Sequence, residues 1–265
     1  MNTTLNDINM TKGYESISEM AVKSGKNMKK KSTETRKVIV ENVDKFGEIL
    51  PLDTDIMKNK PVYSFVKRVA DVLLSTAALV VLAPVMAVVA VAIYVDDPHA
   101  GPIFVQERVG RNGRKFKILK FRSMVYNAEE LKKELLAKGY TMKESGDPTY
   151  KLENDPRITR MGVFIRKTSI DELPQLINII KGDMGIVGPR PLVTKEVEQF
   201  DDFSMQRHLV RPGLTCYWQS TKDRDKVPFA DWMKMDVKYI QNCNVWEDIK
   251  IICRTFKVVL TANGN

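Results

Sequence analysis

Thr168-Ser169-Ile170-Asp171-Glu172-Leu173-Pro174-Gln175 sets two adjacent carboxylates just ahead of an apolar stretch in a strongly basic chain. Ionised carboxylates can serve as a nucleophile or as a metal ligand. The same residues also have a purely local explanation. Ser169 followed three positions later by Glu172 is the pattern of a capping box, and acids favour helix N-termini. Pro174 bears on where such a helix begins, because a proline is comfortable only in the first turn. With Ser169 as N-cap, Pro174 falls one position too deep; a start at Asp171 puts it at the third helical position. In either register the positive helix end favours the charged form of Asp171.

Few other groups could do covalent chemistry. The 265 residues include only two histidines, His99 and His208, so a serine or cysteine nucleophile has few candidate bases. The three cysteines, Cys216, Cys243 and Cys253, are odd in number and lack close metal-ligand spacing, which speaks against a disulfide framework or a zinc site. A net charge of +9 implies anionic partners: nucleic acid, phospholipid or a phosphorylated substrate. With 43% hydrophobic residues the chain can bury a core of one or two domains.

The elements that must position the acidic pair follow in order. Residues 1–60 are polar, with a basic run from Lys23 to Lys37 and a short apolar segment near Val38–Val43, and read as a largely flexible cytosolic extension. From Val72 to Val95 no charge interrupts the chain, about 36 Å if helical and long enough to span a bilayer. Ala83-Pro84 stands at its middle, and cations flank both ends: Lys67 and Arg68 before, Arg108, Arg111 and Arg114 after. A proline-kinked single crossing is one reading of such a segment; it cannot keep both flanks in the cytoplasm, whereas a helix-break-helix that enters one leaflet and returns does, and re-entry stands slightly ahead of crossing. Ile103–Gln106 and Lys115–Phe121 around Asn112-Gly113 predict a β-hairpin that delivers Lys120 and Arg122 to one end. A surface helix from Asn127, closed by Gly139, and a turn-rich loop through Pro156 precede Arg160, Arg166 and Lys167.

After the acidic pair, a helix over Leu173–Ile180 is predicted to stop at Lys181-Gly182. Gly188-Pro189-Arg190-Pro191 fixes one arginine between two prolines, either as a rigid loop or as an anion site. Arg211-Pro212-Gly213 poses the same question. Asp236 borders the apolar side of a helix with Trp232, Met235 and Tyr239; such an acid is most often simply exposed, and needs a cation or metal partner if buried. The last helix, Trp246–Leu260, carries Ile249, Ile252, Phe256 and Val259 on one side and Lys250, Arg254 and Lys257 on another, which suits core packing or an anionic membrane surface.

The apolar segment with its central proline, Lys120-Phe121-Arg122-Ser123-Met124, Asp171-Glu172-Leu173-Pro174-Gln175, Gly182-Asp183-Met184, Gly188-Pro189-Arg190-Pro191, Arg211-Pro212-Gly213 and Trp246-Glu247-Asp248-Ile249-Lys250 together resemble the bacterial monotopic phosphoglycosyl transferases over residues 61–262. The resemblance implies an α+β fold: a mainly helical cytosolic catalytic domain with a small β-hairpin and interfacial amphipathic helices over 99–265, attached to a re-entrant helix over 61–98. It implies transfer of a sugar phosphate from a UDP-sugar to polyprenyl phosphate with release of UMP, on the cytosolic face of the bacterial cytoplasmic membrane. Asp171 would be the nucleophile, and Glu172 would help to hold Mg²⁺. Lys120, Arg166, Arg190 and Arg211 match the phosphate-binding positions; Arg122, Arg224 and Asp236 complete the expected substrate-binding set. Two departures stand out: Ala83-Pro84 replaces the common Ser-Pro at the membrane break, and residues 215–225 replace the usual Gly-Trp-Gln and Gly-Arg segments. No nucleic acid is expected as partner, and an oligomer is compatible with this reading. The rival class is a membrane-anchored basic protein that binds nucleic acid or anionic lipid, though a pure binder gains nothing from an acidic pair amid its cations.

Overall fold

The computed structural model describes residue 52 and residues 55–137, 155–222 and 224–260. The basic run at Lys23–Lys37, the apolar segment near Val38–Val43, the cap at Gly139 and most of the loop before Pro156 lie outside the described residues.

Helix α1, Pro61–Asp96, is the longest element, and by length and composition it could cross a membrane. It continues through Ala83 and Pro84 without interruption, so the expected break does not appear as a gap in the helix. Such a proline costs its own N–H bond, a loss that transmembrane helices tolerate. Its residues divide by helical spacing. Asp71, Ser75, Val89 and Ile93 are buried, with Ala78, Leu79, Met86 and Ala90 partly covered beside them. Val80, Val81, Val88 and Val91 stand exposed.

One face of α1 therefore runs along the rest of the protein. Near its start Arg68 donates to the carbonyls of Ile179 and Ile180 at 2.7 and 2.9 Å, and Asp71 accepts from the Ile186 amide at 3.0 Å. Near its end Val89 and Ile93 join Phe121 and Ile165 in one apolar cluster.

Strands β1, Ile103–Val109, and β2, Lys115–Phe121, pair antiparallel from Ile103↔Phe121 to Val109↔Lys115. Asn112 and Gly113 turn the chain with φ of 54° and 73°, the chemistry that the Asn-Gly pair predicts. Helix α2 covers Ala128–Ala137. Helix α3, Arg160–Lys167, starts on Thr159, whose Oγ1 accepts from the Gly162 amide at 3.0 Å.

The segment that follows departs from the capping-box expectation. Ser169 has φ 57° and accepts no side-chain cap bond; it ends α3 in the left-handed conformation rather than opening the next helix. Ile170–Glu172 form a single 3₁₀ turn, and α4, Gln175–Lys181, begins only after Pro174, which occupies its N-cap. This arrangement leaves the proline without an amide to miss. Gly182, at φ 93°, closes α4 as the Lys181-Gly182 pair predicts. Asn178 on α4 ties it to β2, accepting from the Leu119 amide at 3.0 Å and donating to the Lys117 carbonyl at 2.7 Å.

Strands β3, Gly185–Val187, and β4, Gly213–Thr215, form a short parallel pair that the proline-rich flanks concealed in the sequence. The two backbones approach so closely that a Cβ on Gly213 would lie 2.1 Å from the Gly188 nitrogen. Short helices α5, Thr194–Val197, and α6, Asp202–Met205, lead into a 3₁₀ turn at Gln206–Leu209. Helix α7 spans Phe229–Asn242 and α8 spans Val245–Leu260. Trp218 stacks on Trp232 of α7 with centroids 4.3 Å apart, in an apolar cluster with Val109, Leu192, Val197 and Cys216. The described chain is thus mainly helical with two small sheets, as expected for the fold class.

Candidate active site

Three segments far apart in sequence converge on the acidic pair. The end of β2 brings Lys120, the proline-locked segment after β3 brings Arg190, and the turn after β4 brings Gln219. Glu172 Oε1 accepts from Lys120 Nζ and from Arg190 Nη1, both at 2.9 Å, and its Oε2 accepts from Gln219 Nε2 at 3.2 Å. Asp171 receives less. Its nearest cation is Lys120, 3.9 Å away, and Arg166 acts on it electrostatically while donating its Nε to Ser123 Oγ at 2.8 Å.

The two acids consequently differ in proton affinity. Burial and the neighbouring negative charge of Glu172 push Asp171 up to about 6, against the pull of Lys120, Arg190 and Arg166. The sequence-based expectation that a helix terminus would favour the charged form fails here: burial and the Glu172 charge prevail, and α4 begins only at Gln175. Burial acts on Glu172 in the same direction, but Arg190 and Lys120 outweigh it and hold that carboxyl well below its usual range. Burial lowers the affinity of Lys120 for its proton, opposed mainly by Glu172.

This set can do specific chemistry. Asp171 is ionised near neutral pH and is not locked into a close ion pair, as a nucleophile must be. Lys120, Arg190 and Arg166 gather positive charge around the pair, a setting in which an anionic group such as a phosphate could be held. A divalent cation also fits: Glu172 Oε2 accepts only from Gln219 among the described residues, and a carboxylate oxygen has two lone pairs. Mg²⁺ usually takes one or two protein carboxylates and completes its shell with water and substrate phosphate.

The profile of the family described as bacterial sugar transferase matches residues 62–262. The chain belongs to that family. Among similar sugar transferases, the undecaprenyl-phosphate galactose phosphotransferase of Salmonella typhimurium is 43% identical over 200 residues, 76% of this chain and 41% of that protein. The UDP-galactose-lipid carrier transferase of Erwinia amylovora is 42% identical over 200 residues, with the same two shares, 76% and 41%. The exopolysaccharide production protein ExoY of Rhizobium meliloti is 37% identical over 207 residues, 78% of this chain and 90% of that protein. This bacterial sugar transferase chain thus spans about two fifths of the length of the first two relatives and most of the third.

The remaining expected site residues of this sugar transferase have other partners. Arg122 is buried and donates to the Asp97 carboxylate at 2.7 Å and to the Ala100 carbonyl at 2.8 Å, fastening the end of α1 to β2. Arg211 stands with Arg68 and Arg111 near Asp71, and neither Asp171 nor Glu172 is among the charges that act on it. Arg224 lies over the Trp218 ring at 5.5 Å, and Arg190 lies over the same ring at 5.9 Å. Asp236 is 1% exposed and pairs with Arg207, the cation that its burial demanded.

Sequence reasoning missed Gln219, Arg108 and Arg207. Gln219 belongs to the segment that departs from the family pattern, and that departure was the available signal. Arg108 donates to the Pro191 carbonyl at 3.2 Å and feels the charges of both Arg190 and Glu172. Its strand position gave no indication of that, and Arg207 follows no motif.

Proposed function

We propose that this chain transfers a sugar 1-phosphate from a UDP-sugar to polyprenyl phosphate and releases UMP, initiating exopolysaccharide or glycoconjugate synthesis. The observation that carries the reading is the division between Asp171 and Glu172: one carboxylate near-neutral in proton affinity and loosely held, the other ionised and gripped by two cations. The donor and acceptor classes follow those in the names of the relatives.

In this mechanism an Asp171 oxygen attacks the sugar-proximal phosphorus of the donor. The bond from that phosphorus to the bridging oxygen breaks, and UMP leaves with the electron pair. A polyprenyl phosphate oxygen then attacks the same phosphorus and frees Asp171. Lys120, Arg190 and Arg166 hold the diphosphate and offset the charge that would repel a carboxylate. Glu172 would hold Mg²⁺, whose charge would further offset that of the diphosphate.

The topology belongs to the same proposal. Both ends of α1 pack on one protein body, Arg68 and Asp71 on α4 and β3, Val89 and Ile93 on β2 and α3. That supports a helix that enters the inner leaflet and returns to the cytosolic face. Exposed Phe164 of α3 and exposed Trp246 and Phe256 of α8 offer apolar groups to the same interface.

The test is incubation of the full chain with candidate UDP-sugars, Mg²⁺ and undecaprenyl phosphate. UMP release that disappears in Asp171→Asn is the expected result, whereas release of UDP would sink the mechanism. For topology, Cys253 is first replaced by serine, since it is the exposed cysteine among the described residues. Single cysteines near Lys60 and near Asn112 should then be labelled from the cytosolic side only; labelling from opposite sides overturns re-entry.

A further inference from the structure

Arg190 is held at both of its ends. Its guanidinium meets Glu172 Oε1 at 2.9 Å and lies over the Trp218 ring, while its backbone carbonyl accepts from Arg207 Nη2 at 2.7 Å. Arg207 is itself fixed on every side. Its Nε and Nη2 donate to Asp236 Oδ2 at 3.0 and 2.7 Å, and its guanidinium packs over Phe200 and Trp232 with ring distances of 5.8 and 5.7 Å. Arg207 and Asp236 are 2% and 1% exposed, so neither has a surface to offer a substrate.

A buried ion pair is weak support for stability, because apolar residues of the same volume often hold a fold as well. What an apolar pair cannot do is donate to the Arg190 carbonyl. That carbonyl belongs to the residue between Pro189 and Pro191, whose fixed φ already restricts the backbone on either side. One Arg207 nitrogen thus connects the carboxylate of α7 to the backbone that carries a cation of the site. Trp232 on the same helix stacks on Trp218, beneath the Arg190 guanidinium, so α7 supports both the backbone and the side chain.

We propose that Arg207, oriented by Asp236, is a positioning residue that fixes the Arg190 guanidinium against Glu172 and so sets how the donor diphosphate is bound. This rests on the reading of Arg190 as a donor-phosphate cation. It gives Asp236 a supporting role behind the site instead of contact with substrate.

A double-mutant cycle on the full chain in membranes tests it, with UMP release as the readout. R207K keeps the charge but loses the planar fork that serves two acceptors, and D236N keeps the shape but loses the charge that orients Arg207. Each should lower kcat/KM for the UDP-sugar about tenfold or more, chiefly through KM, yet cost less than about twofold in the R190Q background, since residues acting through one another do not add. Equal penalties in both backgrounds would mean a general structural role and overturn the proposal. So would near-native kinetics in R207K and D236N. Unchanged kinetics in R190Q alone would instead remove the reading of Arg190 on which the inference stands. If one variant fails to fold, as thermal unfolding will reveal, the other completes the cycle.

Discussion

Asp171 and Glu172 are neighbours in sequence whose proton affinities are driven in opposite directions, up to about 6 for the first and well below the carboxylate range for the second. Both are withdrawn from water. The difference lies in which of them the cations touch: Lys120 and Arg190 sit 2.9 Å from Glu172, while Lys120 is 3.9 Å from Asp171.

Replacing Asp171 by asparagine should therefore abolish turnover and stabilise the protein together. A carboxyl whose affinity rises from 3.8 to about 6 on folding binds its proton more tightly in the native state. Its contribution is most favourable below pH 3.8 and declines as pH rises to about 6, leaving a cost on the order of 2 kcal/mol at neutral pH. Asparagine removes that charge. Denaturant unfolding at pH 7.5 should show a gain of about 1–3 kcal/mol, and a loss of stability would contradict the placement of Asp171.

Turnover should follow the ionised fraction of the same group. With an affinity near 6, Asp171 is about nine-tenths ionised at pH 7 and about one-tenth at pH 5. UMP release at subsaturating donor should fall about tenfold per unit below pH 6. A profile flat down to pH 5 would point to another nucleophile.

Ser169 offers a test of local structure. As the left-handed terminus of α3 it carries a strain that glycine does not feel. Ser169→Gly should hold or raise stability by about 0.5–1 kcal/mol and Ser169→Val should lower it. Had Ser169 been a helix N-cap, glycine would have cost a few tenths of a kcal/mol instead. Thermal melts of the two variants decide between these.

Gly213→Ala should be severe. The added methyl would meet the Gly188 nitrogen at 2.1 Å and the Val187 carbonyl carbon at 2.6 Å, both backbone atoms of the partner segment. Neither moves without separating β3 from β4 and displacing Arg190 two residues on. A loss of about 3 kcal/mol is expected from overpacking of this kind; near-native stability would refute the parallel pairing.

Much of this arrangement is legible in the sequence wherever a local rule suffices. Asn112-Gly113 announced the hairpin, Lys181-Gly182 the end of α4, and the uncharged run the apolar helix, because each depends on residues close in the chain. Ser169 misled because the capping box and the left-handed helix terminus draw on the same small polar residue, and the position of Pro174 decided between them. The acidic pair, Lys120 and Arg190 stand in ordered motifs, and Arg166 matches a position that the family resemblance implies. Their assignment to one carboxylate or the other depends on separations of an ångström across three segments, which no spacing encodes. Arg207 and Gln219 escaped for the same reason: each acts through a partner more than fifteen positions away.

Val89 and Ile93 of the apolar helix fill the same cluster as Phe121 and Ile165, and Ile165 is fully buried. The anchor is therefore also an inner wall of the body that carries the site. A truncation beginning after Asp97, the obvious route to a water-soluble preparation, would strip that wall from β2 and α3 and leave Arg122 without its carboxylate. A preparation that keeps Val89, Ile93 and Asp97 keeps both that wall and the Arg122 partner.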